Sequence, residues 1–166
     1  TVNFAESVET VFDNLREVSP HTFTAVPRVW EKIYSTVRIL RSEATGTGRW
    51  ALDQAIAAGM AKAAYEERGE AVPSAVMTRY KVWDALVLKN LRRMLGMDRM
   101  RRAGTGAAPV SPELLRWFAA IGVPLLEGYG ATETSGVATF NTQEDNSIGS
   151  VGKPLPGLEV KIGEGD

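Results

Sequence analysis

Residues 123–140 have the sequence VPLLEGYGATETSGVATF, and this stretch decides both the expected fold and the expected site. Its first eight residues form a mostly apolar run that predicts a strand ending in a loop. Its last six residues, "SGVATF", predict another strand, and "GLEVKI" at 157–162 predicts a further one. The loop between the first two strands is small and polar, so it is the first place to look for functional residues.

Upstream of this stretch, strands and helices are expected to alternate. "VNFA" at 2–5 predicts a short strand, and the following apolar residues at helical spacing predict a helix that ends near Val18, with Ser7 as its N-cap. "HTFTAV" predicts a second strand, and Pro27 suits the first turn of the helix "PRVWEKIYSTVRIL". The first part of the chain is therefore predicted to be β-α-β-α.

Two long helices are predicted in the middle of the chain. "RWALDQAIAAGMAKAAYEERG" is rich in alanine and ends at Gly69, a typical helix C-cap. "SAVMTRYKVWDALVLKNLRRMLG" carries one apolar stripe, which consists of Val76, Tyr80, Trp83, Val87, Leu91 and Met94. A shorter helix is predicted from Pro112. Because helices separate most of the strands, several strands should be parallel, and the expected fold is α/β, a partial sheet flanked by helices.

Composition excludes several kinds of chemistry. The chain has 166 residues, a net charge of −1 and 44% hydrophobic residues, which is typical of a globular protein with no strong overall attraction to nucleic acid. It has no cysteine, and His21 is its only histidine, so thiolate chemistry and multi-histidine metal sites are excluded. The lack of cysteine permits the cytosol and says little more about compartment; we expect a cytoplasmic protein. The chain begins at Thr1 within a strand-like run, so we expect a segment of a longer protein.

Charge is distributed unevenly along the chain. Residues 79–102 contain eight lysines and arginines and two aspartates, which gives a net charge of +6. Such a helix could contact phosphates or the surface of a membrane, which would make the protein peripheral at a membrane. An ordinary solvated helix face is the alternative, and it is the more frequent explanation of such a run.

The loop "EGYGATETSG" has the residue types of a nucleotide site. Gly128 and Gly130 leave room for a flat ligand on the ring of Tyr129. The hydroxyl of Thr132 and the carboxylate of Glu133 suit Mg²⁺ and its phosphates. A tight turn that needs glycine for positive φ, with a solvated Glu133, explains the same spacing equally well.

A second glycine-rich segment, "AGTGAAP" at 103–109, is weaker evidence. It lacks the GK[ST] ending of a phosphate-binding loop, and it does not complete a dinucleotide fingerprint. Its small residues would still allow backbone contact with the edge of a purine. Alone, such a segment is more often a turn than a site.

Taken together, these segments resemble the adenylate-forming (AMP-binding) enzymes. "GYGATETS" resembles the family motif G-Y-G-x-T-E, "GTGAAPVSPELLRWF" is similar to the segment that contacts adenine, and "GSVGKPLPGLEVKI" resembles the motif G-x-x-G-x-P-x-P-G. "FAESVETVFDNLREVSPHTFTAVPRVWEKIY" resembles the long-chain fatty-acid–CoA ligase branch. The resemblance covers almost the whole chain, and it implies that residues 1–166 are a central fragment of the large N-terminal AMP-binding domain.

The resemblance also implies substrates and site residues. The substrates would be ATP, a long-chain fatty acid and coenzyme A, with Mg²⁺ as cofactor. Tyr129 would stack on adenine, Thr132 would contact phosphate, and Glu133 would hold Mg²⁺. The other implied residues are those lining the far side of adenine and those bordering the acyl-adenylate: Gly106, Ala107, Ala108, Pro109, Gly128, Gly130 and Ala131.

Several alternatives remain at this stage. The family's serine- and threonine-rich phosphate loop, its ribose-binding aspartate and its C-terminal lid are not in this sequence, so the fragment alone is expected to be inactive. The same chemistry could act on an aryl or bile acid. A non-catalytic module that uses the basic helix is a third hypothesis. Because partner strands would be missing, self-association through exposed sheet edges is expected.

Overall fold

The computed structural model describes residues 2–5, 7 and 9–161, and these form an α/β fold. The chain passes through six α-helices, one π-helical turn and five strands within these residues. In chain order they are α1 (Val11–Val18), β1 (Thr22–Ala25), α2 (Pro27–Glu43), α3 (Gly46–Glu67), α4 (Ser74–Trp83), the π-helical turn (Asp84–Leu88), α5 (Lys89–Met94), β2 (Arg102–Thr105), α6 (Pro112–Ala120), β3 (Leu125–Ala131), β4 (Gly136–Phe140) and β5 (Lys153–Pro154).

The strands of the described residues form a single mixed sheet in the order β1-β2-β3-β4-β5. β1, β2 and β3 are parallel, and the pairs β3–β4 and β4–β5 are antiparallel. Helices α2 to α5 connect β1 to β2, and α6 connects β2 to β3. The predicted α/β fold, a partial sheet flanked by helices with long helices inserted in the middle, is therefore confirmed.

Trp30 of α2 lies at the centre of the core. It is fully buried, and its ring makes edge contacts with Phe23 of β1 and Phe118 of α6, at centroid distances of 5.2 and 5.1 Å. Its indole Nε1 donates to the carbonyl oxygens of Ala25 (3.2 Å) and Gly104 (3.3 Å). One side chain thus joins a helix to the ends of two neighbouring strands.

The alanine-rich helix α3 packs closely on α6. Ala55, Ala58 and Ala63 are buried, and their small side chains permit a short distance between the two helices. At the end of α3, both carboxylate oxygens of Glu67 accept hydrogen bonds from the guanidinium of Arg116, at 2.7 and 2.8 Å. Gly69 follows with φ +67°, which confirms its predicted role in ending the helix.

Two predicted strands are absent from the described residues. Residues 2–5 are irregular and exposed, and 157–161 form a turn and an irregular segment, while Ile162 lies outside the described residues. Both segments contain β-forming residues, but neither has a neighbouring strand to pair with. The last strand of the sheet is instead the short β5, and β2 at Arg102–Thr105 was not predicted.

The predicted apolar stripe of the second long helix is only partly correct. Leu91 is buried as expected, but Met94 is exposed, and Leu88 and Leu95 are buried instead. The π-helical turn explains the difference, because it inserts an extra residue into the helix and moves the buried side by one position. At the first helix, Thr10 rather than Ser7 is the N-cap, although the Ser7 hydroxyl does accept a hydrogen bond from the Thr10 N–H (3.2 Å).

We expect Trp30→Phe to destabilise the chain by about 1–3 kcal/mol, because the carbonyl groups of Ala25 and Gly104 lose a buried donor while most of the ring contacts remain. Urea unfolding followed by circular dichroism measures the change. Trp50→Phe is the matched control, since Trp50 is 59% exposed and should change stability by no more than about 0.5 kcal/mol. Equal effects of the two substitutions would contradict this role of the indole N–H.

Candidate functional site

A cavity of about 760 Å³ opens at the carboxyl ends of the three parallel strands. Its walls come from residues 24–26 at the end of β1, 105–107 at the end of β2 and 128–132 at the end of β3, together with Ser135, the start of β4 and Phe140. Ligands of open α/β sheets bind outside the carboxyl ends of the strands, and this volume is within the usual range of small-molecule sites.

The structure brings the two predicted glycine-rich segments together at this cavity. β2 and β3 are paired with Thr105 opposite Glu127, so Gly106 and Gly128 follow on neighbouring strands. A Cβ atom on Gly106 would lie 2.8 Å from the Gly128 carbonyl oxygen, which shows how close the two backbones are. Their common position is the central observation about this site.

Most of the predicted site residues line the cavity. Those that do are Gly106, Ala107, Gly128, Tyr129, Gly130, Ala131 and Thr132; those that do not are Ala108, Pro109 and Glu133. The other wall residues were not predicted as site residues, and they come from the ends of β1 and β2, from the turn before β4 and from β4 itself. These are Thr24, Ala25, Val26, Thr105, Ser135, Gly136, Val137 and Phe140.

The two glycines beside Tyr129 have a packing role that the sequence did not reveal. A Cβ on Gly128 would lie 2.3 Å from Cδ2 of Phe140, and a Cβ on Gly130 would lie 2.1 Å from the carbonyl oxygen of Gly136. Neither glycine has positive φ. Both are therefore required for the β3–β4 hairpin to close, whatever ligand the cavity takes.

Tyr129 is not a core residue. Its side chain is 52% exposed and lines the cavity, and Thr139 is its partner across the hairpin. A bulge between Tyr129 and Gly130 shifts the register of the hairpin at this point. The ring is therefore available to a ligand, as expected for a stacking residue.

The turn between β3 and β4 is held by Thr134. Its hydroxyl accepts a hydrogen bond from the Ala131 N–H (2.9 Å) and donates to the Gly136 carbonyl oxygen (2.7 Å). Thr132 and Glu133 precede it in the turn, where both are exposed, and within the described residues their side chains make no hydrogen bond. Their hydroxyl and carboxylate are therefore free for a ligand. The role of Thr134 was missed in the sequence, although threonine in a turn is a recognised signal.

Ala107 adopts an unusual backbone conformation at the cavity. It has φ +67°, in the left-handed region that residues other than glycine rarely occupy. Such a conformation costs roughly 1–2 kcal/mol and is concentrated at functional sites. It turns the chain sharply just after β2, at the position where the backbone is expected to face adenine.

Asn141 fastens the segment after β4 to β3. It is buried, and its backbone N–H donates to the carbonyl oxygen of Glu127 (3.0 Å), while its Nδ2 donates to the carbonyl oxygen of Ser150 (2.5 Å). The Glu127 carboxylate accepts a hydrogen bond from the Gly149 N–H (3.0 Å). Burial raises the pKa of the Glu127 carboxyl above its ordinary value, and the Gly149 N–H partly opposes this rise.

The metal role predicted for Glu133 involves a single carboxylate. The described residues contain no group of three or more histidine, cysteine or acidic side chains that could hold an ion. Mg²⁺ is usually bound by one or two carboxylates together with substrate phosphates, and the uncommitted Glu133 beside Thr132 fits that mode.

A larger cavity of about 1050 Å³ lies elsewhere in the molecule. It is lined by the end of α3, by α6, by the start of β3 and by residues 143–146. None of the predicted site residues contributes to it. No helix among the described residues is long and apolar enough to cross a bilayer.

These observations place most of the predicted site residues at one cavity at the carboxyl ends of parallel strands, and the comparison with known proteins identifies the family. The model of the AMP-binding enzyme family matches residues 1–166, and the chain belongs to that family. The resemblance seen in the sequence is thereby confirmed.

The chain is similar to proteins named as fatty-acid–CoA ligases. It is 37% identical over 164 residues to the putative fatty-acid–CoA ligase fadD11 of Mycobacterium tuberculosis, covering 98% of this chain and 29% of that protein. It is 33% identical to the long-chain-fatty-acid–CoA ligase ACSBG2 of Gallus gallus, covering 95% of this chain and 20% of that protein. The chain thus spans less than a third of the length of either relative.

Among solved structures, the chain matches the A-PCP didomain of carboxylic acid reductase from Segniliparus rugosus in complex with AMP. The match covers 84% of this chain and 15% of that one, at 24% identity and a TM-score of 0.45.

We expect Gly128→Ala to destabilise the chain by about 1–3 kcal/mol, because the added methyl group collides with the Phe140 ring. Gly46→Ala is the control, since a Cβ there meets no atom within 4 Å and the helix should be unchanged or slightly more stable. Thermal unfolding of both variants makes the comparison. An unchanged melting temperature for Gly128→Ala would show that the hairpin does not need this glycine.

The raised pKa of Glu127 predicts a pH-dependent contribution to stability. A carboxyl group with a raised pKa binds its proton more tightly in the folded state. The protonated Glu127 carboxyl therefore contributes its full stabilisation of the folded state below the ordinary pKa of 4.5. This stabilisation is lost as the pH rises through the higher pKa of the folded state. Glu127→Gln should remove this loss and gain stability relative to the original chain as the pH rises toward neutral.

Unfolding of both proteins by urea at a series of pH values tests this expectation. Glu17→Gln, which replaces an exposed carboxylate on α1, is the control for a simple change of net charge. The explanation is wrong if the stability difference between Glu127→Gln and the original chain stays constant across this pH range.

Proposed function

We propose that this chain is the central part of the nucleotide-binding domain of a long-chain fatty-acid–CoA ligase and that its cavity binds the acyl-adenylate. The observation that carries the proposal is that the segments after β2 and within β3, both similar to family motifs, line one cavity. Relatives named as fatty-acid–CoA ligases support this choice of reaction.

The reaction that we propose has two steps. A carboxylate oxygen of the fatty acid attacks the α-phosphorus of ATP, the bond to the β-phosphate oxygen breaks, and pyrophosphate leaves. The thiol sulfur of coenzyme A then attacks the acyl carbon and loses its proton, and AMP leaves with the electrons of the broken carbon–oxygen bond. Neither step needs a nucleophile from the protein, so positioning and charge stabilisation would provide the catalysis.

Each part of the cavity would have a distinct role. The half-exposed ring of Tyr129 would stack on adenine, and the backbone of Gly106 and Ala107 would face it from β2. Ala108 and Pro109 would extend this wall. The free hydroxyl of Thr132 would contact phosphate, and Glu133 would hold Mg²⁺, which supplies neutralisation of phosphate charge when it is bound.

The acyl chain would leave the adenylate along the apolar part of the cavity. Val26, Val137 and Phe140 provide apolar walls, and Gly128, Gly130 and Ala131 border the same space. The small side chain of Ala131 leaves that space open, so the length and kind of acid are not fixed by these residues. An aryl acid would use the same nucleotide contacts.

The chain alone is proposed to be inactive and to bind ATP weakly, at about millimolar concentration. Contacts from the phosphate loop, the ribose aspartate and the lid would come from other parts of the ligase. Each missing contact with a charged group removes about 1.5–3 kcal/mol of binding, which is tenfold or more in affinity. We propose a cytoplasmic ligase whose ATP, fatty acid and coenzyme A meet at this site.

Fatty-acid-dependent exchange of pyrophosphate into ATP, measured on the full-length ligase that contains this segment, tests the function. We expect Glu133→Gln to lower the exchange rate by about tenfold or more, because a charged contact with the phosphates is lost. Glu144→Gln is the control, because Glu144 is an exposed carboxylate outside the cavity. An unchanged rate in Glu133→Gln would refute its proposed role.

The acid substrate is tested in the same assay. A panel of long-chain, short-chain and aryl acids should give the fastest exchange with long chains. Faster exchange with aryl acids would keep the adenylation chemistry and replace the substrate. No exchange with any acid would refute the proposed function.

A further inference from the structure

The solvent side of the continuous helix 74–94 carries an unusual set of exposed residues. Two apolar side chains, Val82 and Leu86, are 50% and 63% exposed. They are four residues apart and thus lie on one side of the helix. Arg79, Lys89 and Arg93 follow on this side at spacings of three or four residues, and Lys81 flanks it, all four being exposed. We call these six residues the cationic face: Arg79, Lys81, Val82, Leu86, Lys89 and Arg93.

The cations of this face are not neutralised within the protein. Among the described residues, none of the four forms an ion pair, and the only polar partner recorded for Arg79 is the neutral amide of Gln54, at 2.9 Å. Asp84 is the one acid of the helix, and it pairs with Arg92 (2.6 Å), which also donates to the Ile121 carbonyl oxygen (2.7 Å).

The ion pair between Arg92 and Asp84 removes one cation from the charge that the helix exposes to solvent. Arg92 and Asp84 neutralise each other, and their partly buried pair ties the helix to the end of α6. Of the +6 charge counted over 79–102, the helix 74–94 carries +4, from five cations and Asp84. Its exposed part on this helix consists of four positive charges with no negative charge among them.

The mixture of apolar and cationic residues indicates the kind of partner. A nucleic acid or an acidic protein segment would use the cations and gain little from Val82 and Leu86. A membrane that contains anionic phospholipids would use both, because the phosphates attract the cations and the apolar side chains enter the boundary between headgroups and acyl chains.

We propose that the cationic face docks on the surface of membranes rich in anionic phospholipids. The helix lies in the plane of the interface, with Val82 and Leu86 toward the acyl chains and the four cations at the level of the phosphates. This contact is separate from the cavity and does not depend on its ligand, since none of the six residues lines the cavity.

Vesicle sedimentation with the full chain tests the proposal. The chain should sediment with vesicles of equal parts phosphatidylcholine and phosphatidylserine, remain in solution with pure phosphatidylcholine, and be released by high salt. The double variant Lys89→Gln/Arg93→Gln should lose about tenfold or more of its affinity for the anionic vesicles. Lys32→Gln/Arg38→Gln removes the same charge from exposed positions of α2 and should bind as the original chain does.

A second pair of measurements separates a membrane from a soluble polyanion. Leu86→Ser should weaken binding to the anionic vesicles but leave binding to heparin unchanged, and its thermal unfolding should be unchanged because Leu86 is exposed. Val82→Ser repeats the test at a second position. The proposal is overturned if the chain does not bind anionic vesicles at low salt, if both double variants lose binding equally, or if neither serine variant weakens vesicle binding.

Discussion

The hydrogen bonds from the indole of Trp30 to the carbonyl oxygens of Ala25 and Gly104 are the interaction on which the rest of the structure depends. Both acceptors lie at the ends of strands: Ala25 lines the cavity, and Gly104 is followed by Thr105, which lines it too. A buried carbonyl without a donor is costly, so a single helix residue fixes where β1 and β2 leave the sheet. Contact with Phe118 carries the same constraint to α6. The cavity is therefore positioned by a side chain that does not line it.

The motif around Tyr129 shows how one sequence pattern can satisfy two requirements. Gly128 and Gly130 could be recognised from the sequence as residues that leave space, and they do so. The space is occupied by the Phe140 ring and by the backbone at Gly136. Their partners depend on the register of the hairpin and on a bulge within it, which no local pattern in the sequence specifies. The motif was therefore located correctly while the physical reason for its glycines was not.

The helices and the strands β1, β3 and β4 could be predicted because their signals are local: periodicity, a proline at the start of α2 and a glycine after α3. β2 could not, since its sequence "RAGT" has little strand preference and gains its structure from neighbours on both sides. The strand predicted at residues 2–5 was wrong for the opposite reason, because these residues have strand preference but no neighbouring strand among the described residues. In the site, the roles of Thr134 and Asn141 were missed, as each depends on contacts formed only when the hairpin closes.

Different residues of the site hold its structure and face the solvent. Thr134 holds the turn, Phe140 fills the hairpin, and Asn141 fastens the following segment to β3. These residues bond the backbone groups of the turn and of the segments beside it. The side chains of Thr132 and Glu133 are exposed and have no hydrogen-bond partner within the described residues. These contacts hold the backbone of the turn, whereas the exposed side chains of Thr132 and Glu133 have no partner in the described structure, so a ligand that binds them also has to order them. The positions from which Thr132 and Glu133 could reach a ligand are therefore set by the residues that hold the turn and the hairpin, and not by contacts of the two side chains themselves.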